Sequence, residues 1–248
     1  MAKPDPDPWS IRTTLPAPTK KLILPRLRAI SRCGFCPPRC WRRSPLAPPI
    51  SAAGPSRFFG AVAAGAVLWE WQKLVSGAVW IVAGFGYAGA LLAAPVILRH
   101  DAALGFLAII LLFAIVWTTD VLGYFAGRAI GGPKLMPAVS PKKTWSGAIA
   151  GAIGAMMVAV LVARLFGAFN SAGIAGIALL LSICSQAGDL LESWIKRQFG
   201  AKDASQLIPG HGGVMDRLDG FWAAALIACL IGVSRGGLDG ATRGLLVW

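Results

Sequence analysis

Acidic side chains set in or beside long apolar runs are costly and usually face a protein interior or a watered cavity, so they mark where chemistry is to be sought. Asp120 has Trp117, Gly123 and Tyr124 at helical spacings of three and four, and Arg128 follows one turn further along. A second stripe, Ser185, Asp189, Glu192 and Lys196, occupies one face of a helix that descends from an apolar run into a basic loop. Two carboxylates one turn apart repel each other unless a cation or basic groups lie between them. The same stripe also reads as an interhelical polar network without chemistry. The loop that follows, KRQFGAKDASQLIPGHGGVMDRLD from Lys196 to Asp219, mixes Lys and Arg with Asp and Gly. Lys and Arg offset phosphate charge, carboxylates hold a hard divalent cation, and glycines let backbone amides come close to oxygens. Mg²⁺ binds through one or two carboxylates plus substrate phosphates, so two or three aspartates suffice. On composition alone, a plain basic loop is the better reading.

The elements that must position these groups are set by an apolar composition. Of 248 residues, 56% are hydrophobic and 14% charged, against roughly a quarter charged in ordinary soluble domains. Apolar regions run over 58–75, 78–98, 102–127, 147–169, 171–191 and 221–233, most of them near the roughly 20 residues needed to cross a bilayer. The fold expected is an all-α, polytopic membrane helical bundle with active-site loops on its cytoplasmic face. Thirty glycines, many beside Ala within the apolar runs, suit close helix contact in lipid. The basic stretches 128–143 and 196–217 both belong in the cytoplasm by the positive-inside rule, and the hairpin of spans between them agrees in parity. The first apolar region conflicts with that rule if it crosses. It would place outside the membrane a tail, residues 1–57, whose eleven Lys or Arg against Asp5 and Asp7 leave +9 of the total +13. Either 58–75 lies in the interface, as Trp69, Glu70, Trp71 and Lys73 allow, or the tail is a non-native start. Two domains result: a Pro- and Arg-rich tail over 1–57, expected to be disordered, and a membrane domain over 58–248 with five or six spans. Once located, the positive charge points to a membrane surface and anionic substrates rather than nucleic acid. Cys33, Cys36 and Cys40 lack a fourth zinc ligand nearby, and Cys184 and Cys229 sit in apolar runs as small buried residues.

The run SWIKRQFGAKDASQLIPGHGGVMDRLD, Ser193 to Asp219, resembles the signature of the phosphatidate cytidylyltransferase family, the CDP-diacylglycerol synthases. Its Ser, Lys-Arg, Lys-Asp, His-Gly-Gly and Asp-Arg-x-Asp elements stand at the family's spacing. The resemblance continues through GDLLES at 188–193, SPKKTWSG at 140–147 and TTDVLGYFAGRAIGGPKL at 118–135, and more weakly at LWEW, 68–71. It covers about two-thirds of the chain. There are two departures: Ser146 stands where many members carry Glu or Gln, and the tail to Arg57 replaces the apolar spans with which members usually begin.

The resemblance implies transfer of the cytidylyl (CMP) group of CTP to phosphatidic acid, giving CDP-diacylglycerol and pyrophosphate in phospholipid biosynthesis. It also implies a bacterial inner membrane location with the site facing the cytoplasm, and a homodimer. The cofactor expected is Mg²⁺, with a second cation left open. Asp203 and Asp216 are implied as metal ligands, with Asp189 and Asp219 as further candidates. Lys202, Lys196, Arg197 and Arg217 would hold phosphates. His211 would donate to the leaving pyrophosphate or fix the loop. Ser140, Lys142, Lys143 and Thr144 would bind substrate phosphates at the membrane surface or serve as an anionic-lipid anchor, with Arg128 beside them. Asp120 would orient a basic or metal-bound group. Three other readings are a CTP-dependent polyprenol kinase, a transporter and a catalytically dead relic. The continuous signature argues against the kinase, and the clustering of polar groups at one face, Arg164 apart, against a transporter.

Overall fold

Long apolar segments interrupted by short polar turns fold as antiparallel helices, because only a helix satisfies its backbone within hydrocarbon. A computed structural model describes residues 53–167, 170–207 and 212–248, all within one unit of the chain. The element order is α1 (Ala53–Leu74), α2 (Ala78–Arg99), α3 (Gly105–Ile130), β1 (Lys134–Met136), β2 (Ser140–Thr144), α4 (Trp145–Phe166), α5 (Ser171–Gln198), α6 (Met215–Gly236) and α7 (Ala241–Leu246). Among the described residues, helices α2 to α6 are the five long and apolar enough to cross a membrane. Large apolar side chains cover their outside, among them Trp117, Val121, Phe125, Ile153, Met157 and Leu161. Such a surface suits lipid rather than water. The chain is an all-α integral membrane protein with one small antiparallel hairpin, β1 on β2.

The α3–α4 seam is built from glycine. A methyl group on Gly151 would lie 2.6 Å from the Thr119 carbonyl oxygen, and one on Gly147 would lie 3.2 Å from the Gly127 Cα. Both helices can approach this closely only because side chains are missing there, the usual means of helix association in lipid. Sparse polar contacts join further helices. The Thr119 and Ser182 hydroxyls are 2.7 Å apart between α3 and α5, and Gln186 Nε2 donates to the Ala148 carbonyl on α4 at 3.3 Å.

Helix starts follow local chemistry at three places. Asn170 Oδ1 accepts from the amides of Ala172 and Gly173 to begin α5. Thr144 Oγ1 accepts from Gly147 N to begin α4. Asp101 Oδ1 accepts from Ala103 and Leu104 N at 2.8 and 2.9 Å to begin α3, while Arg243 Nε donates to its other oxygen at 2.8 Å. That pair, with the Thr242 hydroxyl donating to the Leu98 carbonyl at 2.6 Å, fastens α7 to the end of the bundle opposite the hairpin.

Several boundaries differ from the sequence expectation. Helix α1 begins at Ala53, inside the stretch assigned to the tail, and is not among the five membrane-length apolar helices. Helix α5 runs on to Gln198, and α6 begins at Met215 rather than near Phe221. The basic stretch after α3 folds into the hairpin, and α7 was not anticipated. The remainder of the tail, with Cys33, Cys36 and Cys40, lies outside the described residues.

Two outcomes test this packing. Gly151→Ala should lower unfolding stability in detergent by about 1–3 kcal/mol through overpacking. Gly86→Ala, whose methyl would meet nothing, should leave stability unchanged or slightly raised. Burial pushes the Asp101 carboxyl up, but the amides of Leu104 and Ala103 and the Arg243 guanidinium outweigh it and hold it below its ordinary value. A carboxyl lower in the folded than in the unfolded state stabilises the fold above its unfolded value, and that contribution is lost as pH falls through the folded one. Asp101→Ala should therefore cost about 1 kcal/mol near neutral pH and progressively less below about pH 4, read from unfolding curves across a pH series.

Candidate active site

At the hairpin end of the bundle, α3, the hairpin, α4 and α5 enclose a cavity of about 580 Å³. Gly131 and Gly132, at φ of 69° and 101°, end α3 in a backbone conformation that side-chain-bearing residues rarely adopt. The chain then turns into β1, and β2 returns to lay Lys142 and Lys143 over the opening. The Ser146 hydroxyl, donating to the Gly131 carbonyl, closes the base of the hairpin. Asp120, Tyr124 and Arg128 line one wall from α3, and Gln186 and Asp189 line the other from α5. Lys143 forms an ion pair with Asp189 across the space, both side chains about one-quarter exposed. Ser193 also donates to Asp189 at 3.3 Å. Arg128 donates to the Tyr124 hydroxyl at 3.4 Å. Thr144 lines the cavity but is 4% exposed and serves chiefly as the α4 cap. Ser140 lies in the hairpin outside the lining residues.

A second cluster lies at the junction of α5 and α6. Lys196 Nζ donates to Glu192 Oε1 at 3.1 Å and to Asp216 Oδ1 at 2.7 Å, while the Tyr87 hydroxyl donates to Glu192 Oε2 at 3.3 Å. Asp216 also accepts from Ala204 N and, at 2.8 Å, from Gly213 N. Both Asp216 oxygens are thus engaged with protein donors that hold the loop between α5 and α6. Arg197 donates to the Ala201 carbonyl at 3.3 Å, tightening the turn after α5. Lys202 and Asp203 are exposed on the loop, and Arg217 is exposed in the first turn of α6. His211 lies outside the described residues.

The sequence candidates therefore divide. Asp120, Arg128, Lys142, Lys143, Thr144 and Asp189 share the cavity, Lys196 and Asp216 share the junction, and Lys202, Asp203, Arg197 and Arg217 lie on its solvent side. Asp219, one turn into α6, accepts from its own neighbour Gly220 N at 2.7 Å. Glu70 carries no role in the sequence reading, yet it is fully buried and accepts from Ser205 Oγ, Val214 N and Met215 N at 2.6, 2.9 and 2.7 Å. The one signal that could have found it is an acidic residue between two tryptophans in an otherwise apolar helix.

Among the described residues, no three His, Cys, Asp or Glu side chains converge as a metal cage. A magnesium ion needs fewer, since it keeps waters and shares substrate phosphates. Asp120 and Asp189, on facing walls of a cavity that also holds Lys142, Lys143 and Arg128, fit an ion that arrives with a polyphosphate. The arrangement can bind a polyanion, orient it against the hairpin lysines and neutralise charge that develops on it.

Comparison with known proteins agrees with that chemistry. The cytidylyltransferase family matches residues 50–234. A phosphatidate cytidylyltransferase of Brucella abortus is 53% identical over 173 residues, covering 70% of this chain and 64% of that protein. Those of Haemophilus influenzae and Rickettsia bellii are 44% and 40% identical over 130 residues, covering 50% of this chain and 45% and 56% of theirs. The chain spans less than two-thirds of the length of these curated relatives.

Because the Lys143–Asp189 pair is partly open to solvent, a double-mutant cycle on Lys143→Met and Asp189→Asn should give a coupling of no more than about 1 kcal/mol in unfolding. Binding of inorganic triphosphate with Mg²⁺, followed by calorimetry, should weaken about tenfold in Lys143→Met alone. A large stability coupling with unchanged anion binding would make the pair structural.

Proposed function

This chain belongs to the cytidylyltransferase family, and on that premise we propose that it transfers the CMP group of CTP to phosphatidic acid, releasing pyrophosphate and forming CDP-diacylglycerol. The observation that carries the reading is the cavity in which Asp120 and Asp189 face Lys142, Lys143 and Arg128 at one end of the spans. In this reaction a phosphatidate oxygen attacks the α-phosphorus of CTP, and the bond from that phosphorus to the bridging oxygen of the leaving pyrophosphate breaks. The acceptor is already an oxyanion, so little base catalysis is needed. The barrier lies in bringing two anions together and in stabilising the departing pyrophosphate.

The protein's residues address both parts. Lys142, Lys143 and Arg128 offset the phosphate charges and fix their direction, which lets the lipid phosphate approach. Asp120 and Asp189 would hold Mg²⁺, which would supply Lewis-acid neutralisation of charge on the triphosphate. Asp216 with Lys196 fixes the loop that carries Lys202 and Asp203 and the first turn of α6, which carries Arg217, while Asp219 stands one turn further along α6. In this reading Asp203 and Arg217 serve as outer contacts to the nucleotide. The hairpin end faces the cytoplasm of a bacterial inner membrane in this reading, supported by the basic residues 128–143 and 196–217 that gather there. A homodimer is carried over from the family resemblance.

The purified chain supplied with CTP, dispersed phosphatidate and Mg²⁺ should form CDP-diacylglycerol and exchange labelled pyrophosphate into CTP. Asp189→Ala should reduce turnover by at least about 10²-fold while the protein still inserts and purifies. Release of CDP with a newly phosphorylated lipid would instead identify the lipid-kinase reading, and absence of any CTP turnover would sink both.

A further inference from the structure

Helix α6 starts without a cap of its own. Its N-cap residue is Val214, whose side chain accepts nothing, although the first amides of any helix need acceptors from outside it. Glu70 supplies them from α1, 144 residues earlier. One of its oxygens takes Val214 N at 2.9 Å and the Ser205 hydroxyl at 2.6 Å, and the other takes Met215 N at 2.7 Å. The carboxyl group has no exposed surface. A methyl group on Gly213 would stand 2.8 Å from each of its oxygens, so the backbone is drawn against it as closely as glycine permits.

The accepting side chain is itself held firmly. The adjacent Trp71 is buried, donates from Nε1 to the Trp80 carbonyl at 2.7 Å and packs against Tyr87 with ring centroids 5.2 Å apart and the rings tilted by 33°. Tyr87 in turn reaches Glu192. The α5–α6 connection is therefore pinned at two carboxylates. Asp216 belongs to α6 itself, whereas Glu70 refers the loop to α1 and, through Trp71, to α2.

We infer that Glu70 is a positioning residue for the transfer reaction. By gathering Ser205, Val214 and Met215 onto one carboxyl group, it fixes where Lys202, Asp203 and Arg217 stand relative to the spans. This rests on the cytidylyl-transfer reading. It adds that α1, which bears no residue assigned to the cavity, sets the geometry of the nucleotide-facing loop.

The test uses the full chain in lipid nanodiscs, with the wild type run in parallel. Glu70→Gln keeps the shape but turns an N–H toward donors. It should raise KM for CTP about tenfold or more and lower kcat/KM by about 10²-fold, the scale of a 1 Å misplacement. Hydrogen exchange should accelerate at Val214 and Met215 but not in α3 or α4. Ser205→Ala, which removes one donor from an exposed loop, should move KM in the same direction by a smaller factor. Gly213→Ala should do so by displacing Glu70 from the other side. Wild-type KM and kcat/KM in Glu70→Gln would overturn the inference, as would a fall in kcat alone that matches a loss of folded protein. An inert wild type would overturn the activity reading itself, and the positioning role with it. An active wild type with an unaffected Glu70→Gln would overturn only the positioning role.

Discussion

Lys196 is the contact on which the architecture of the hairpin end turns. Glu192 and Asp216, on different helices, both place an oxygen against its ammonium group. Two carboxylates at that depth would repel each other and pay desolvation without it. One cation shared between them joins α5 to α6 and leaves neither carboxylate alone. The same contact explains why α5 is 28 residues long. At 1.5 Å per residue it extends about 42 Å, some two turns more than about 30 Å of hydrocarbon requires, and those extra turns carry Glu192 and Lys196 out to meet Asp216.

A division of labour follows from that geometry. Side chains whose partners are all protein, such as Asp216 and Glu70, hold the loop between α5 and α6. Side chains whose partners are few and partly solvated, such as Asp189, Lys143 and Asp120, line the cavity. Fully satisfied buried networks rigidify, whereas partly solvated charges keep capacity for a ligand. The α3–α4 glycine seam belongs to the first class by other means. It places Asp120 and the hairpin with little freedom, because two helices in backbone contact at Gly147 and Gly151 cannot slide without collision.

Legibility in the sequence followed the range of the physics. The α5 stripe was plain, since residues three and four apart share a helix face and Asp189, Glu192 and Lys196 needed no partner to be recognised as a set. The five long helices were plain because apolar length is a local property. The ends of α5 and α6 were cut short because hydropathy stops at the first charges, whereas Glu192 and Lys196, and then Asp216 and Asp219, continue the helices through contacts with each other's neighbours. The hairpin was missed because its strands are three and five residues long and polar, and only the Gly131–Gly132 pair hinted at a turn. Glu70 stood out only as an acid between two tryptophans, and its acceptor role could not be read because it depends on amides 144 positions away, where no periodicity connects them. The separation of Asp216 from Asp189 into two clusters was hidden for the same reason: along one face of α5, Asp189 meets Lys143 of the hairpin while Glu192 and Lys196 meet the start of α6.

The lipid acceptor of the proposed reaction would impose one more condition, and the cavity rim fits it. An acceptor anchored by acyl chains cannot rise into solution, so the phosphate-binding groups must lie at the depth of the headgroups and open sideways. Lys134, Lys142 and Arg128 form a basic mouth, and the exposed rings of Tyr124, Phe125 and Trp145 stand beside it on α3 and at the start of α4. Aromatic rings of this kind settle at the boundary between hydrocarbon and water, which fixes the basic groups at that level. On the proposed reaction, a nucleotide would reach the same mouth from water. The two substrates would then share one site without either leaving its own phase, and the short hairpin, too polar to be a span and too ordered to be a plain loop, is the element that would let them meet.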